Sequence, residues 1–498
     1  MLRIFNVSIC LHISQRYSRI MTVFKAVIIF QYLQFVYTSS VFYNSGFKYL
    51  TENVLHQIAS SADISTTNTR WILQKVDHFD DKSETWKMRY FENLQFFKDK
   101  GPVYIYIGGE SEASPRYLSA GIIKALAQET NGAMFMTEHR YYGKSLPFDD
   151  ILGDVKHMKW LSSRQALADI AHLIKSIKTN PTFKLSKVVV IGGSYAGSLA
   201  AWMRLMYSDL VDAAISSSGP VLAKKDFFEY IEKVNEDYEL YGTEECLDKI
   251  KKDFVTYEKM LQSPKGIEEL KNKFNICPEC DMNVVENQWV FFSSITAEFM
   301  FNSQYGNPQR IKEHCSTIDN SMRYNTSNTM LWNSKSNCIS FSFDYMIKGI
   351  QKTLWAYSWF YQTCTEFGYF QTTTSDLQPF GKVLPLDFYV KTCRNVYGSD
   401  FNEARVDKGV DTTNKIYGGL SPNVTRVVFV NGDMDPWSKL GIVEDLSSEA
   451  PATVIHRASH CADLFPEVPS ATEEIKEAAK HVKYLIKRWI GVDDNSMF

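Results

Sequence analysis

Apolar residues follow two patterns along the chain. Short continuous apolar runs bounded by glycine or proline mark buried strands. Val103 to Ile107 (VYIYI), between Gly101-Pro102 and Gly108-Gly109, is the clearest of them. Ala133 to Met136, Lys187 to Ile191 and Ala213 to Ser216 repeat it. Between these runs, Arg164 to Ile177 carries apolar residues at helical spacing, and Leu199 to Met206 predicts another helix. Strands alternating with helices imply parallel βαβ units and a sheet covered on both faces.

After Pro220 the pattern changes. From Val221 to Tyr345 there are only three glycines, Gly242, Gly266 and Gly306, and long amphipathic stretches dominate. Phe227 to Tyr241 and Cys246 to Leu261 are examples, and Ile347 to Gln362 predicts one aromatic-rich helix. The strand pattern returns at Arg426 to Val430 and at Val454-Ile455, and Ala471 to Ile490 predicts a closing helix. The expected organisation is a core in two parts, 41–220 and 416–498, interrupted by a mainly helical insertion at 221–415.

Composition narrows the function classes. The chain has 498 residues, 45% of them hydrophobic and 14% aromatic, which supplies a large core and excludes disorder. Its 54 Lys+Arg against 57 Asp+Glu leave a formal charge of −3, so nothing points to nucleic acid. At the N-terminus, Lys25 precedes the apolar run Ala26 to Tyr37, and small residues follow at Thr38, Ser39 and Ser40. That is the plan of a secretory signal within residues 1–40, with Met21 as an alternative start. An uncleaved anchor is the other reading, although the run is short for a bilayer. Signal removal takes Cys10 with it and leaves eight of the nine cysteines, an even number that suits a disulfide framework. Cys277-Pro-Glu-Cys280 could be half a zinc site, but no second C-x-x-C completes it, so no metal is expected. Asn325 and Asn423 open glycosylation sequons.

The sharpest chemical signal is Gly192-Gly193-Ser194-Tyr195-Ala196-Gly197, placed between an apolar strand and a helix. A nucleophilic serine needs such a tight strand-to-helix turn to lift its hydroxyl above the sheet, with small residues two positions either side. Gly192 and Ala196 meet that demand, although Ala196 departs from the strict G-x-S-x-G form. A serine is a weak nucleophile without a base oriented by an acid, and on this kind of sheet both follow it in the chain. Asp433 and Asp435 lie on the loop after the Arg426–Val430 strand, and His456 and His460 come after the next strand. Either acid and either histidine satisfies that order, so Asp433 and His456 stay open as internal rivals to Asp435 and His460. Glu138-His139-Arg140 reads as a structural ion-pair network, His481 as a solvated position, and Trp355 and Trp359 as core, with one of them open to lining the site.

These segments, with Gln74-Lys-Val-Asp-His-Phe79, Tyr106-Ile-Gly-Gly-Glu110, Cys364-Thr-Glu366, Asp435-Pro-Trp437 and Ser459-His-Cys461, carry a resemblance. From about Gln74 onward the chain resembles the serine peptidases of the lysosomal prolyl carboxypeptidase and dipeptidyl peptidase II family, and looks most like its thymus-specific serine protease branch. The resemblance implies an α/β-hydrolase core with a helical, disulfide-containing cap inserted between nucleophile and acid. It implies Ser194 as nucleophile, Asp435 as orienting acid and His460 as general base. The backbone N–H groups of Tyr195 and Gly109 would form the oxyanion hole. It further implies a Cys364–Cys393 disulfide and a specificity pocket lined by Trp437. At the pocket position four residues past the nucleophile, this chain has Ser198 where proline-specific members usually carry Met. A relaxed preference for proline follows.

The function expected is a secreted or lysosomal serine exopeptidase, of carboxypeptidase or dipeptidyl-peptidase type, acting on peptides without metal or cofactor. No stable membrane insertion is expected once the signal is gone, and monomer and homodimer are both open. An esterase or lipase on the same fold is the first alternative. A catalytically silent binding module is the second, and the presence of all three candidate residues argues against it.

Overall fold

The computed structural model describes residues 64–318, 331–333 and 337–492. The targeting segment, Cys10 and Asn325 lie outside these residues. The core opens with β1 (Thr67–Lys75), β2 (Thr85–Asn93), β3 (Val103–Tyr106), helix α1 (Gly121–Thr130), β4 (Ala133–Thr137) and helix α2 (Ser163–Thr179). It continues through β5 (Val188–Gly193), helix α3 (Tyr195–Met206) and β6 (Ala213–Ser217).

The intervening segment pairs β7 (Lys224–Asp226) with β10 (Gly368–Phe370), and β8 (Trp332–Asn333) with β9 (Cys338–Ile339). Its helices are α4 (Glu229–Tyr241), α5 (Glu244–Met260), α6 (Pro264–Phe274), α7 (Val285–Tyr305) and α8 (Pro308–Thr317), followed by α9 (Phe343–Lys352), α10 (Leu354–Gln362), α11 (Leu386–Tyr397) and α12 (Glu403–Tyr417). The core closes with β11 (Val427–Gly432), β12 (Ala452–Ile455) and α13 (Glu473–Ile490).

Eight strands form one sheet in the order β1-β2-β4-β3-β5-β6-β11-β12. From β4 to β12 every neighbour is parallel. The antiparallel β1–β2 ribbon joins its edge through β2 and β4. The central strands are buried on both faces, which is why they read as unbroken apolar runs. Side chains alternate across the sheet. Val189 and Ile191 pack with Ile122 and Leu126 of α1 and Val482 and Ile486 of α13. Val188 and Val190 face the other way, into a cluster holding Leu167 of α2, Leu199 of α3 and the interior of the inserted segment. The molecule is an α/β-hydrolase with a helical cap. Among the described residues, no helix is long and apolar enough to cross a membrane.

The sequence reading needs two corrections. Ile347 to Gln362 is not one helix. Thr353 is extended, with φ −114° and ψ 106°. Its N–H closes α9 on the Ile350 carbonyl, and its own carbonyl opens α10 by accepting the Tyr357 N–H. The eight cysteines also do not all pair. Disulfides join Cys246–Cys315, Cys277–Cys338 and Cys364–Cys393, all in the cap, while Cys280 and Cys461 are buried thiols. In the second bridge, Cys277 N–H donates to the Ile339 carbonyl, which brings Cys277 beside its disulfide partner Cys338. Cys461 sits in the core, its thiol against the Ser217 carbonyl, away from any cap cysteine.

Candidate active site

Ser194 stands at the junction of β5 and α3 with φ 59° and ψ −133°, a conformation that costs a non-glycine residue of order 1–3 kcal/mol. Its neighbours enforce the turn. Ser194 N–H donates to the Ser217 carbonyl at 2.9 Å, and the Ser194 carbonyl accepts Gly197 N–H at 2.8 Å. A Cβ on Gly192 would lie 1.9 Å from the Ala196 carbonyl oxygen, so only glycine fits there. The methyl of Ala196, by contrast, leaves room enough that even a Cβ added to Gly109 would stand 3.5 Å from it, an ordinary contact, which is how the departure from G-x-S-x-G is accommodated. Tyr195 is the first residue of α3, so its N–H has no partner within the helix.

A buried network holds the Tyr195 ring. His139 Nδ1–H donates to the Arg140 carbonyl at 2.7 Å, which leaves Nε2 to accept from the Tyr195 hydroxyl at 3.0 Å. Gln362 Nε2 donates to the same hydroxyl. Burial pushes the His139 pKa down to about 4, so this imidazole is neutral and acts as a strut. Its neighbours are ion-paired: Glu138 with Arg89, and Arg140 with Asp169 through two bonds of 2.6 and 2.8 Å. The Glu138-His139-Arg140 segment is thus scaffold.

Asp435 caps the short turn Pro436–Leu440 after β11. Its Oδ1 accepts the Trp437 N–H at 3.0 Å, and its Oδ2 accepts His460 Nδ1–H at 2.7 Å. Both side chains are fully buried. Burial alone would lower the His460 pKa, but the Asp435 carboxylate overrides it and holds the imidazole well above its ordinary value. The cap also reaches His460. Its N–H donates to the Gln304 carbonyl at the end of α7, and the Tyr305 ring meets the imidazole edge-on at 5.7 Å. Asp433 and His456 form their own pair at 2.6 Å, but at the surface, with the histidine side chain 62% exposed.

Ser194, Tyr195, Glu110, Gln304, Tyr305, Trp359 and Trp437 share a cleft enclosing about 360 Å³. Trp437 is wedged among Phe227, Tyr230 and Tyr369. With Trp359 it also walls a larger apolar cavity of about 780 Å³ in the cap. Trp359 therefore lines the site, whereas Trp355 packs at the edge of the core cluster. Gly109 lies on the loop beyond β3 and lines a small cavity together with Ala196.

Ser198 does not line this cleft. It is fully buried one turn into α3, where the Ser217–Pro220 segment packs over it closely enough that a Cβ on Gly219 would come within 2.9 Å of its nitrogen. Asn423 is exposed, as is His481. Sequence reasoning missed the Glu110 carboxyl, having considered only the backbone of its turn. It also missed Gln304 and Tyr305, for which no local signal exists.

A strained serine on the cleft, and a buried Asp-His pair held against Gln304 and Tyr305 of the same cleft, are the kinds of part needed for acyl transfer through a serine ester. Fold and site together define a hydrolase of the α/β class with serine-type chemistry. The chain belongs to the serine carboxypeptidase S28 family, whose model matches residues 74–482. It is 32% identical to the thymus-specific serine protease of Mus musculus, over 84% of this chain and 87% of that one. The human thymus-specific serine protease is 30% identical over 86% and 87%. The lysosomal Pro-X carboxypeptidase of Mus musculus is 29% identical over 78% and 82%. The protein is a serine-type peptidase.

Proposed function

We propose that the protein is a serine exopeptidase of the secretory pathway, extracellular or lysosomal, with Ser194, His460 and Asp435 as its catalytic triad. The cap is assigned to 221–415, between the two parts of the core. The observation that carries the reading is the buried Asp435–His460 pair, whose histidine contacts Gln304 and Tyr305, two residues that line the same cleft as the strained Ser194.

Ser194 Oγ attacks the carbonyl carbon of the scissile peptide bond, and its proton passes to His460 Nε2. Asp435 keeps the proton on Nδ1 and stabilises the imidazolium that forms. The negative charge on the tetrahedral oxygen is met by the N–H groups of Tyr195 and Gly109. His460 then gives its proton to the leaving nitrogen, the C–N bond breaks, and an acyl ester on Ser194 remains. Water repeats the sequence, releasing the acid and restoring the serine. Trp437 and Trp359 supply an apolar wall for the residue beside the cut bond. Secretory residence is supported by the N-terminal apolar run and by the three cap disulfides.

The test is covalent labelling with a fluorophosphonate probe. Wild-type protein should label at Ser194, and Ser194→Ala should not. Labelling at another residue, or none in a folded protein, would overturn the assignment.

A further inference from the structure

Three strands deliver the proposed triad. β5 runs into Ser194, β11 leads to Asp435, and β12 leads to the loop that carries His460. Between β5 and β11 lies β6, whose last residue, Ser217, stands opposite Gly193 on one side and Val430 on the other. The Ser217 carbonyl accepts the Ser194 N–H at 2.9 Å, and the next residue, Ser218, donates its N–H to the Val430 carbonyl at 2.6 Å. The same two serines hold the His460 loop. Ser218 Oγ accepts the Cys461 N–H at 2.9 Å, and Ser217 Oγ–H donates to Oδ1 of Asp463, three residues past the histidine. Ser217 and Asp463 are both buried.

We propose that Asp463 is a positioning residue for the peptidase reaction: its bond to Ser217 fixes the His460 loop on the same strand end that fixes the Ser194 turn. The inference rests on the reading of Ser194 and His460 as nucleophile and base. Asp463 lines neither the cleft nor the cap cavity, so it acts through its neighbours and not on substrate. Stability does not account for an acid at this place. Among the described residues, Asp463 Oδ2 has no hydrogen-bond partner, and a buried carboxyl with an oxygen left unpaired costs free energy that an apolar side chain would not. What the carboxyl supplies is register between two side chains that must meet. Ser217 holds the nucleophile turn by its carbonyl and the base loop by its hydroxyl, so one residue sets both. A shift of about 1 Å between reacting groups costs on the order of 100-fold in rate. The Ser218–Cys461 bond remains when the carboxyl is lost, so the expected loss is partial.

The experiment is steady-state kinetics on one peptide substrate, with a double-mutant cycle. Asp463→Ala should lower kcat by about 10- to 100-fold and leave KM within about twofold. Asp463→Asn keeps an oxygen that accepts the Ser217 hydroxyl, and should restore kcat to within about threefold of wild type. Ser217→Ala keeps the carbonyl that holds Ser194 and loses only the hydroxyl. It should therefore match Asp463→Ala, and the double variant should be no slower than either alone. Wild-type kcat in Asp463→Ala overturns the proposal, as does a loss carried by KM, an Asn variant as slow as the Ala variant, or losses that multiply in the double variant. Should Asp463→Ala not fold, Ser217→Ala breaks the same bond, and a wild-type kcat there is equally fatal. The rate of fluorophosphonate labelling at Ser194 should fall in Asp463→Ala along with kcat. If the Ser194 reading fails, the wild type is not labelled at Ser194 at all; if only the positioning role fails, wild type and Asp463→Ala label there at the same rate.

Discussion

Asp433 holds His456 at 2.6 Å on the surface, two residues before Asp435 holds His460 at 2.7 Å in the interior. The two pairs share chemistry and nearly share sequence, and burial separates them. In the interior the effective dielectric is low and the imidazole keeps one orientation; at the surface water competes for both partners.

His460→Ala should reduce peptide turnover by roughly 10⁴–10⁶-fold, as should Ser194→Ala, because members of such a unit fail together. Asp435→Asn should cost about 10⁴-fold by favouring the wrong imidazole tautomer. His456→Ala should stay within about threefold of wild type, being outside the cleft. Steady-state kinetics on the four variants checks this, and a dead His456→Ala beside an active His460→Ala would reassign the base.

At the elbow, Gly192→Ala should destabilise strongly, since its Cβ would meet a backbone oxygen at 1.9 Å and neither strand nor helix can retreat. Gly109→Ala should fold normally, because its Cβ would sit 3.5 Å from Ala196. We expect a loss of more than about 2 kcal/mol for the first and less than about 1 kcal/mol for the second, read as apparent melting temperatures.

Much of the core was legible because its strands are buried on both faces. Val188 to Ile191 has no polar position to confuse the reading. The β1–β2 ribbon was not legible. It lies at the sheet edge, and β1 exposes Trp71 and Leu73 while its polar residues cover neither face cleanly. The break at Thr353 was hidden because the apolar spacing continues across it. In the site, residues on strand-end loops could be placed by order along the chain. Gln304 and Tyr305 could not, since they reach His460 only through the packing of a cap helix. Cysteine parity misled for a related reason: pairing is set by which backbones meet, and Cys461 meets none with a cysteine on it.

Opening the Cys364–Cys393 bridge with paired serines should cost about 3 kcal/mol, as its partners are 29 residues apart. Alkylation of the denatured, unreduced protein should modify Cys280 and Cys461 and leave the six paired cysteines untouched. Before denaturation Cys280 should resist the reagent, because burial pushes its thiol up to about 11. Peptide mapping that finds Cys277 bridged to Cys280 would contradict the fold given for β9.

Stability should be higher in mild acid than at neutral pH. Burial raises the pKa of Glu366 and Glu110 to about 7 and that of Asp463 to about 6. An acid whose pKa is higher in the folded than in the unfolded chain favours folding while protonated. That contribution is complete below about pH 4 and is lost as pH rises through the folded value. Asp169 works in the opposite direction: although burial opposes ionisation, Arg140 beside it lowers its pKa, so its contribution is lost only in stronger acid. The apparent melting temperature should therefore be higher at pH 5 than at pH 7.5. A flat or rising profile over that span would show that these carboxyls ionise freely in the folded protein.

The tie between the Gln304 carbonyl and the His460 N–H also imposes an order in time. A chain grows from its N-terminus, so Ser194 leaves the ribosome first, the cap next, and Asp435 and His460 close to the end. On the proposed triad, the serine has no base until those last residues arrive and dock on a finished α7. A newly made molecule is thus harmless to the unfolded chains around it during synthesis, and gains its peptidase chemistry only once the cap has been built.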